Sequence, residues 1–188
     1  MGEARLGNVA GALWLGESST RGLPGDAVAE ASDLERAATL LASVFDEVWL
    51  VGGVPATSLP GFRVAEPEAP PGALGGLAGA LAAAEAERVL VVSAGRPGPI
   101  LDLVLALTAW PEQEAVVVEG PKGAPVGCAI YRRESVLRRV HDQLVGPEAS
   151  LEEFHAALGA ERVSTRALGL EEDSPSVSMG GYPEPQGA

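Results

Sequence analysis

Three groups of residues have the types and the spacing to do chemistry. The stretch 16–25 holds Gly16, Ser18, Ser19, Thr20, Gly22 and Gly25, with Arg21 its single cation and Asp26 directly after it. Such a run can turn backbone N–H groups toward a phosphate. It carries neither G-x-x-x-x-G-K-S/T nor G-x-G-x-x-G, so a plain strand-to-helix loop, with Arg21 and Asp26 as a weak surface pair, stands as its alternative. Glu66 and Glu68 precede Pro70-Pro71-Gly72 and have the oxygen chemistry to hold a divalent cation. Mg²⁺ needs a carboxylate beside the substrate phosphates, however, and residues 93–100 contain no second acid, which favours a solvated acidic loop. The third group is His141, His155 and Cys128. Both histidines fall inside helical patterns rather than at strand ends, no G-x-S-x-G surrounds Ser18, Ser19 or Thr20, and neither histidine has a ligand partner at metal spacing. Cys128 sits alone in an apolar run, where a thiol behaves as a small hydrophobe. No hydrolase triad and no zinc site are expected.

The elements that must position these residues alternate β-branched apolar runs with Ala/Leu segments of helical period, the pattern of a three-layer α/β domain with a mainly parallel sheet and helices on both faces. Val9 to Leu15 reads as a first buried strand. Ser32 and Glu35 form S-x-x-E ahead of Leu34, Ala37, Ala38, Leu41, Val44 and Phe45 on one face, which predicts a capped helix over about 33–45. Strands follow at Val48 to Gly52 and Phe62 to Ala65, and a small-residue helix begins behind Gly72-Ala73-Leu74-Gly75-Gly76. Arg88 to Ser93, apolar on both faces, reads as the central strand, with a helix from Ile100 to Ala109 beyond the turn. Ala115 to Val118 and Val126 to Tyr131 read as two strands able to pair as a hairpin; helices are expected at about 133–145 and 151–158, the latter capped by Ser150 and Glu153, and a last strand at Val163 to Ala167. In a sheet of this kind ligands bind at the carboxyl ends of the strands, after Leu15, Ala65, Ser93 and Tyr131.

Composition narrows the function classes. The 188 residues suit one domain with its own core, expected over 1–170, followed by a polar Gly/Pro-rich tail over 171–188. Acidic residues number 26 against 13 basic ones, and a formal charge of −13 repels nucleic-acid backbones and anionic lipid surfaces, so neither is an expected partner. No apolar run approaches the roughly 20 residues of a spanning helix. The start Met1-Gly2-Glu3-Ala4-Arg5 lacks the pattern of a signal peptide, and the lone Cys128 cannot form an internal disulfide, so a cytoplasmic location is expected.

Several segments also follow known motifs in order. Leu34-Glu35-Arg36-Ala37 leads through Phe45-Asp46-Glu47-Val48-Trp49-Leu50-Val51-Gly52; Gly72 to Leu77 is similar to G-P-L-x-G-I/M; Arg88 to Pro97 is similar to V-L-V-x-x-C-D-M-P; and Gly123-Ala124-Pro125 with Cys128 to Arg133 is similar to G-x-P-Q-P-L-C-A-x-Y-x-x. Over nearly the whole chain they resemble the molybdenum cofactor guanylyltransferase family, the MobA-like branch of the nucleotidyltransferase fold. The resemblance implies a nucleotidyltransferase-like, Rossmann-like fold. It also implies chemistry in which GTP and molybdopterin bind and Mg²⁺ assists guanylyl transfer, with cations around the triphosphate.

The family loop L-A-G-G-x-S-x-R-M-G-x-D-K falls on residues 13–27, which assigns nucleotide contacts to Gly16, Ser18, Arg21, Gly22 and Asp26, and the acid of the next loop falls on Glu66. The lysine position reads Ala27, the metal-binding Asp of C-D-M-P reads Gly95, and of N-V-N-T-P-E only Pro183 and Glu184 remain, with Met179 and Gly181 at the asparagines. Charged groups at a transferring phosphate are each worth several kcal/mol, so losing two should compound. The expectation is a protein that keeps the scaffold without catalytic or metal residues and works as a binding or accessory subunit in molybdenum cofactor maturation, with a molybdoenzyme or cofactor-handling protein as partner. The alternative is an active guanylyltransferase using GTP and Mg²⁺, with Arg21 or Arg96 as replacement cation. An interaction module with a patch near Val126 to Tyr131 or Trp110 is a third reading.

Overall fold

The computed structural model describes residues 8–15, 31–52, 61–68, 72–93, 112–120, 125–145 and 150–168. Along them run β1 (Val9–Trp14), α1 (Ala31–Val44), β2 (Val48–Val51), β3 (Arg63–Ala65), α2 (Ala73–Ala83), β4 (Arg88–Ser93), β5 (Ala115–Glu119), β6 (Pro125–Arg132), α3 (Arg133–Leu144), α4 (Leu151–Leu158) and β7 (Glu161–Ser164). The strands form one seven-stranded sheet in the order β3-β2-β1-β4-β6-β5-β7, with β4 at its centre. Strands β1, β2, β3 and β4 are mutually parallel and β7 is parallel to β5, whereas β6 runs antiparallel to both β4 and β5. The mainly parallel three-layer fold expected from the sequence is the one observed.

Two cores explain why the strands are apolar on both faces. Leu13, Leu90, Val92, Val116 and Ile130 pack with Ala37, Ala38, Leu41 and Phe45 of the α1 layer. Ala12, Val89, Val117 and Tyr131 pack on the other face with Leu74, Leu77 and Leu81 of α2, Val136 and Val140 of α3, and Phe154 and Leu158 of α4. Close approach is built in by glycine. A Cβ on Gly11 would stand 2.8 Å from Cδ2 of Phe45, and one on Gly79 would collide with the backbone carbonyl of Glu66, so α2 seats directly on the segment that follows β3.

Three local expectations change. The first helix starts at Ala31, so Ser32 is its second residue and not its cap. The last strand is Glu161–Ser164 rather than Val163 to Ala167, because β5 sets its register from Val116↔Glu161 to Glu119↔Ser164 and the chain then turns, Leu168 N donating to the Ser164 and Thr165 carbonyls. Strand β6 reaches Arg132, one residue further than expected, since Arg88↔Arg132 closes its ladder with β4. The expected helix from Ile100 to Ala109 and the tail over 171–188 lie outside the described residues.

Candidate functional site

The parallel strands bring the residues after Trp14, Val51, Ala65 and Ser93 to one edge of the sheet, and the order changes direction between β1 and β4, the position where α/β sheets bind ligands. Glu66 leaves β3 at that edge. Its side chain is exposed while its carbonyl lies against Gly79, so the acidic loop is fixed to α2 by its backbone. Two residues on, Glu68 N donates to the Gly75 carbonyl at 2.9 Å, and the Glu68 carboxylate meets His141 Nε2 on the last turns of α3 at 2.7 Å. His141 therefore joins the loop after β3, which its place inside a helical pattern does not reveal. Of the other assigned residues, Gly16, Ser18, Arg21, Gly22 and Asp26 lie outside the described residues, as do Gly95 and Arg96.

Among the described residues at this edge the carboxylates are Glu66 and Glu68, and Glu68 already holds His141, which leaves Glu66 as the single free acid there. Among the described residues no group of three or more His, Cys, Asp or Glu is placed to hold a metal ion. Cys128 is buried in β6 and desolvation pushes its thiol up to about 12, so it stays protonated and inert near neutrality. His155, the second histidine, is buried against Tyr131, whose hydroxyl lies 2.8 Å from Nε2. Burial, then the neighbouring Arg162, lowers the imidazole to about 4 and keeps it neutral. This pair is part of the core beneath α4.

Basic side chains gather at the opposite edge. Arg88 opens β4, Arg132 closes β6 and Arg133 opens α3; Arg132, Arg133 and Arg138 line a groove of about 540 Å³ with Ser135, Glu85, Glu87 and Glu134. Arg133 Nε donates to the Leu81 carbonyl and Arg139 pairs with Glu114, whereas Arg162, level with Val117 in mid-strand, shares its guanidinium between Glu119 at the carboxyl end of β5 and Glu152. Glu47 ties the same edge together, its carboxylate accepting from Trp49 Nε1 and from the backbone N–H groups of Glu85 and Ala86.

Known proteins place this arrangement in context. A protein of Aquifex aeolicus superposes with a TM-score of 0.65 at 20% identity, covering 89% of this chain and 94% of that one. The 4-diphosphocytidyl-2C-methyl-D-erythritol synthase of Anaerococcus prevotii gives 0.60 at 11% identity over 84% and 87%, and the 2-C-methyl-D-erythritol 4-phosphate cytidylyltransferase of Thermus thermophilus gives 0.57 at 21% identity over 88% and 93%. These likenesses establish the nucleotidyltransferase-like, Rossmann-type fold. No curated protein matches the sequence. No helix among the described residues is long and apolar enough to cross a membrane. The sequence pattern of the MobA-like NTP transferase domain matches residues 27–165, the span that carries all but the first strand of this sheet, and the chain belongs to that family.

Proposed function

We propose that this member of the MobA-like family has lost the centre for nucleotidyl transfer and acts as a binding or accessory protein in the cytoplasm, in molybdenum cofactor maturation, with a molybdoenzyme or cofactor-handling protein as its partner. The observation that supports the reading is the distribution of charge among the described residues. Glu66 and Glu68 stand at the carboxyl edge of the strands, while Arg88, Arg132, Arg133 and Arg138 gather at the other edge. Transfer of a nucleotidyl group requires cations around the triphosphate, and the resembled motifs lose their lysine at Ala27 and their metal-holding acid at Gly95.

The test is direct. The purified chain, given GTP, Mg²⁺ and molybdopterin, is expected to release no pyrophosphate above the protein-free blank, and calorimetry with GTP and Mg²⁺ should give an affinity weaker than micromolar. Turnover, or tight Mg²⁺-dependent binding, overturns the reading in favour of a working guanylyltransferase.

A further inference from the structure

Two arginines of the amino-edge groove hold carbonyls rather than carboxylates. Arg133 opens α3 half-buried, and its Nε donates to the Leu81 carbonyl near the end of α2 at 3.1 Å. Arg138, just over a turn on and exposed, sets its Nε on the Glu134 carbonyl at 3.3 Å. Each guanidinium thus spends one donor on a neutral oxygen and keeps both Nη groups open. Among the described residues neither forms an ion pair, although Glu85, Glu87 and Glu134 line the same groove. Pairing is within reach of this helix, since the neighbouring Arg139 meets Glu114 at 3.3 Å. Positive charge is also crowded here. Arg88 and Arg132 stand directly opposite in the β4/β6 ladder, an arrangement that like charges disfavour. Burial, then the Arg132 charge, pulls the Arg88 guanidinium below its ordinary value, with Glu87 opposing. In a chain of formal charge −13, these four arginines against the three glutamates leave a local excess of cations.

We propose that Arg133 and Arg138 clamp one oxyanion, a phosphate monoester or a carboxylate, in this groove, and that the ligand carries hydroxyl groups which donate to the surrounding glutamates. A guanidinium already oriented through Nε loses little freedom when its Nη pair meets an oxyanion. The glutamates set the ligand class: three carboxylates repel a polyphosphate, whereas they accept from hydroxyls borne beside a single charged group. A groove of about 540 Å³ has the size of a site for a small organic molecule. It lies at the edge opposite the one where the strand order changes direction, so the inference is independent of the functional reading above. A hydrogen bond to a charged group changes affinity by about ten- to a hundredfold, and an exposed ion pair by up to about fivefold.

The experiment titrates the full chain by calorimetry, at low ionic strength and without divalent metal, with glycerol 3-phosphate, glycerate and tripolyphosphate. Glycerol 3-phosphate, glycerate or both are expected to bind at one site, and the tighter of the two identifies the oxyanion. Its hydroxyl-free counterpart, methyl phosphate or propionate, should bind at least about threefold more weakly, and tripolyphosphate no more tightly than it does. Kd should rise at least about tenfold with Arg133→Gln and about threefold with Arg138→Gln, but less than about twofold with Arg139→Gln, which removes the same charge beside the groove. Thermal melts report that the variants fold, and the exposed Arg138 keeps the test sound even if Arg133→Gln loosens the end of α2. Absence of saturable binding by both three-carbon ligands up to about 10 mM overturns the clamp. So does tightest binding of tripolyphosphate, equal binding of the hydroxyl-free counterpart, or an equal loss of affinity with Arg139→Gln.

Discussion

His155 shows how far one residue's chemistry follows from its surroundings. The two histidines are alike in sequence, each in a helical pattern, yet His141 is about half exposed beside Glu68 while His155 is 5% exposed on the buried face of α4 with its ring near Tyr131 and Phe154. Folding lowers the His155 imidazole from 6.5 to about 4. The unfolded chain then binds the extra proton first, so stability falls as pH drops from about 6.5 and levels off below about 4, where the native state also protonates. The full loss is at most about 3 kcal/mol. Urea unfolding followed from pH 7 to pH 4 checks this: His155→Gln should flatten the slope in that window, and an unchanged slope would assign the acid sensitivity to other groups. Neither the burial of His155 nor the exposure of His141 is legible in the sequence, because each depends on what packs from 24 or 73 positions away.

At the scale of elements, two identical-looking signals came out differently. Ser150 and Glu153 form the expected capping box on α4: the Ser150 hydroxyl accepts from Glu153 N at 3.1 Å, and Ser150 N donates to the Glu153 carboxylate at 2.8 Å. That donation from Ser150 N, with a second from the Ser150 hydroxyl at 2.9 Å, holds the Glu153 carboxyl below its ordinary range. Ser32 and Glu35 share the spacing, but α1 begins one residue earlier. Capping is local enough to read, whereas the first residue of a helix also depends on where the preceding loop delivers the chain. Ser150→Ala should therefore cost about 1 kcal/mol in urea unfolding, with no effect beyond 0.3 kcal/mol taken as a refutation of the cap. Helix α2 gives a sharper test. Glycine inside a helix is worth about 1 kcal/mol less than alanine, so propensity alone says that Gly79→Ala stabilises. The carbonyl of Glu66 occupies the space that the new methyl would need, and the expected outcome is destabilisation by about 1–3 kcal/mol. A raised melting temperature would show that α2 does not sit so close to the segment after β3.

For the whole molecule, the sheet is the one element both cores share. Ile130 belongs to the α1 face and Leu81 to the opposite layer, and both are fully buried. Ile130→Val is expected to cost about 0.5–1.5 kcal/mol and Leu81→Ala about 2–5 kcal/mol, in one cooperative transition with the double variant additive to within about 0.5 kcal/mol. Separate transitions for the two substitutions would mean that the layers unfold independently. The sequence by itself determined the alternation of strands and helices, the two-sided burial of the sheet, the acidic surface and the family, because periodicity and motif order are recorded in neighbouring residues. Only the tertiary structure decided that β6 runs antiparallel between β4 and β5, that β7 takes its register from β5, that Glu68 meets His141, and that Arg133 and Arg138 share one groove with Glu85 and Glu87. Each of these joins residues far apart along the chain, and strand pairing and packing, which fix such contacts, leave no mark on local spacing.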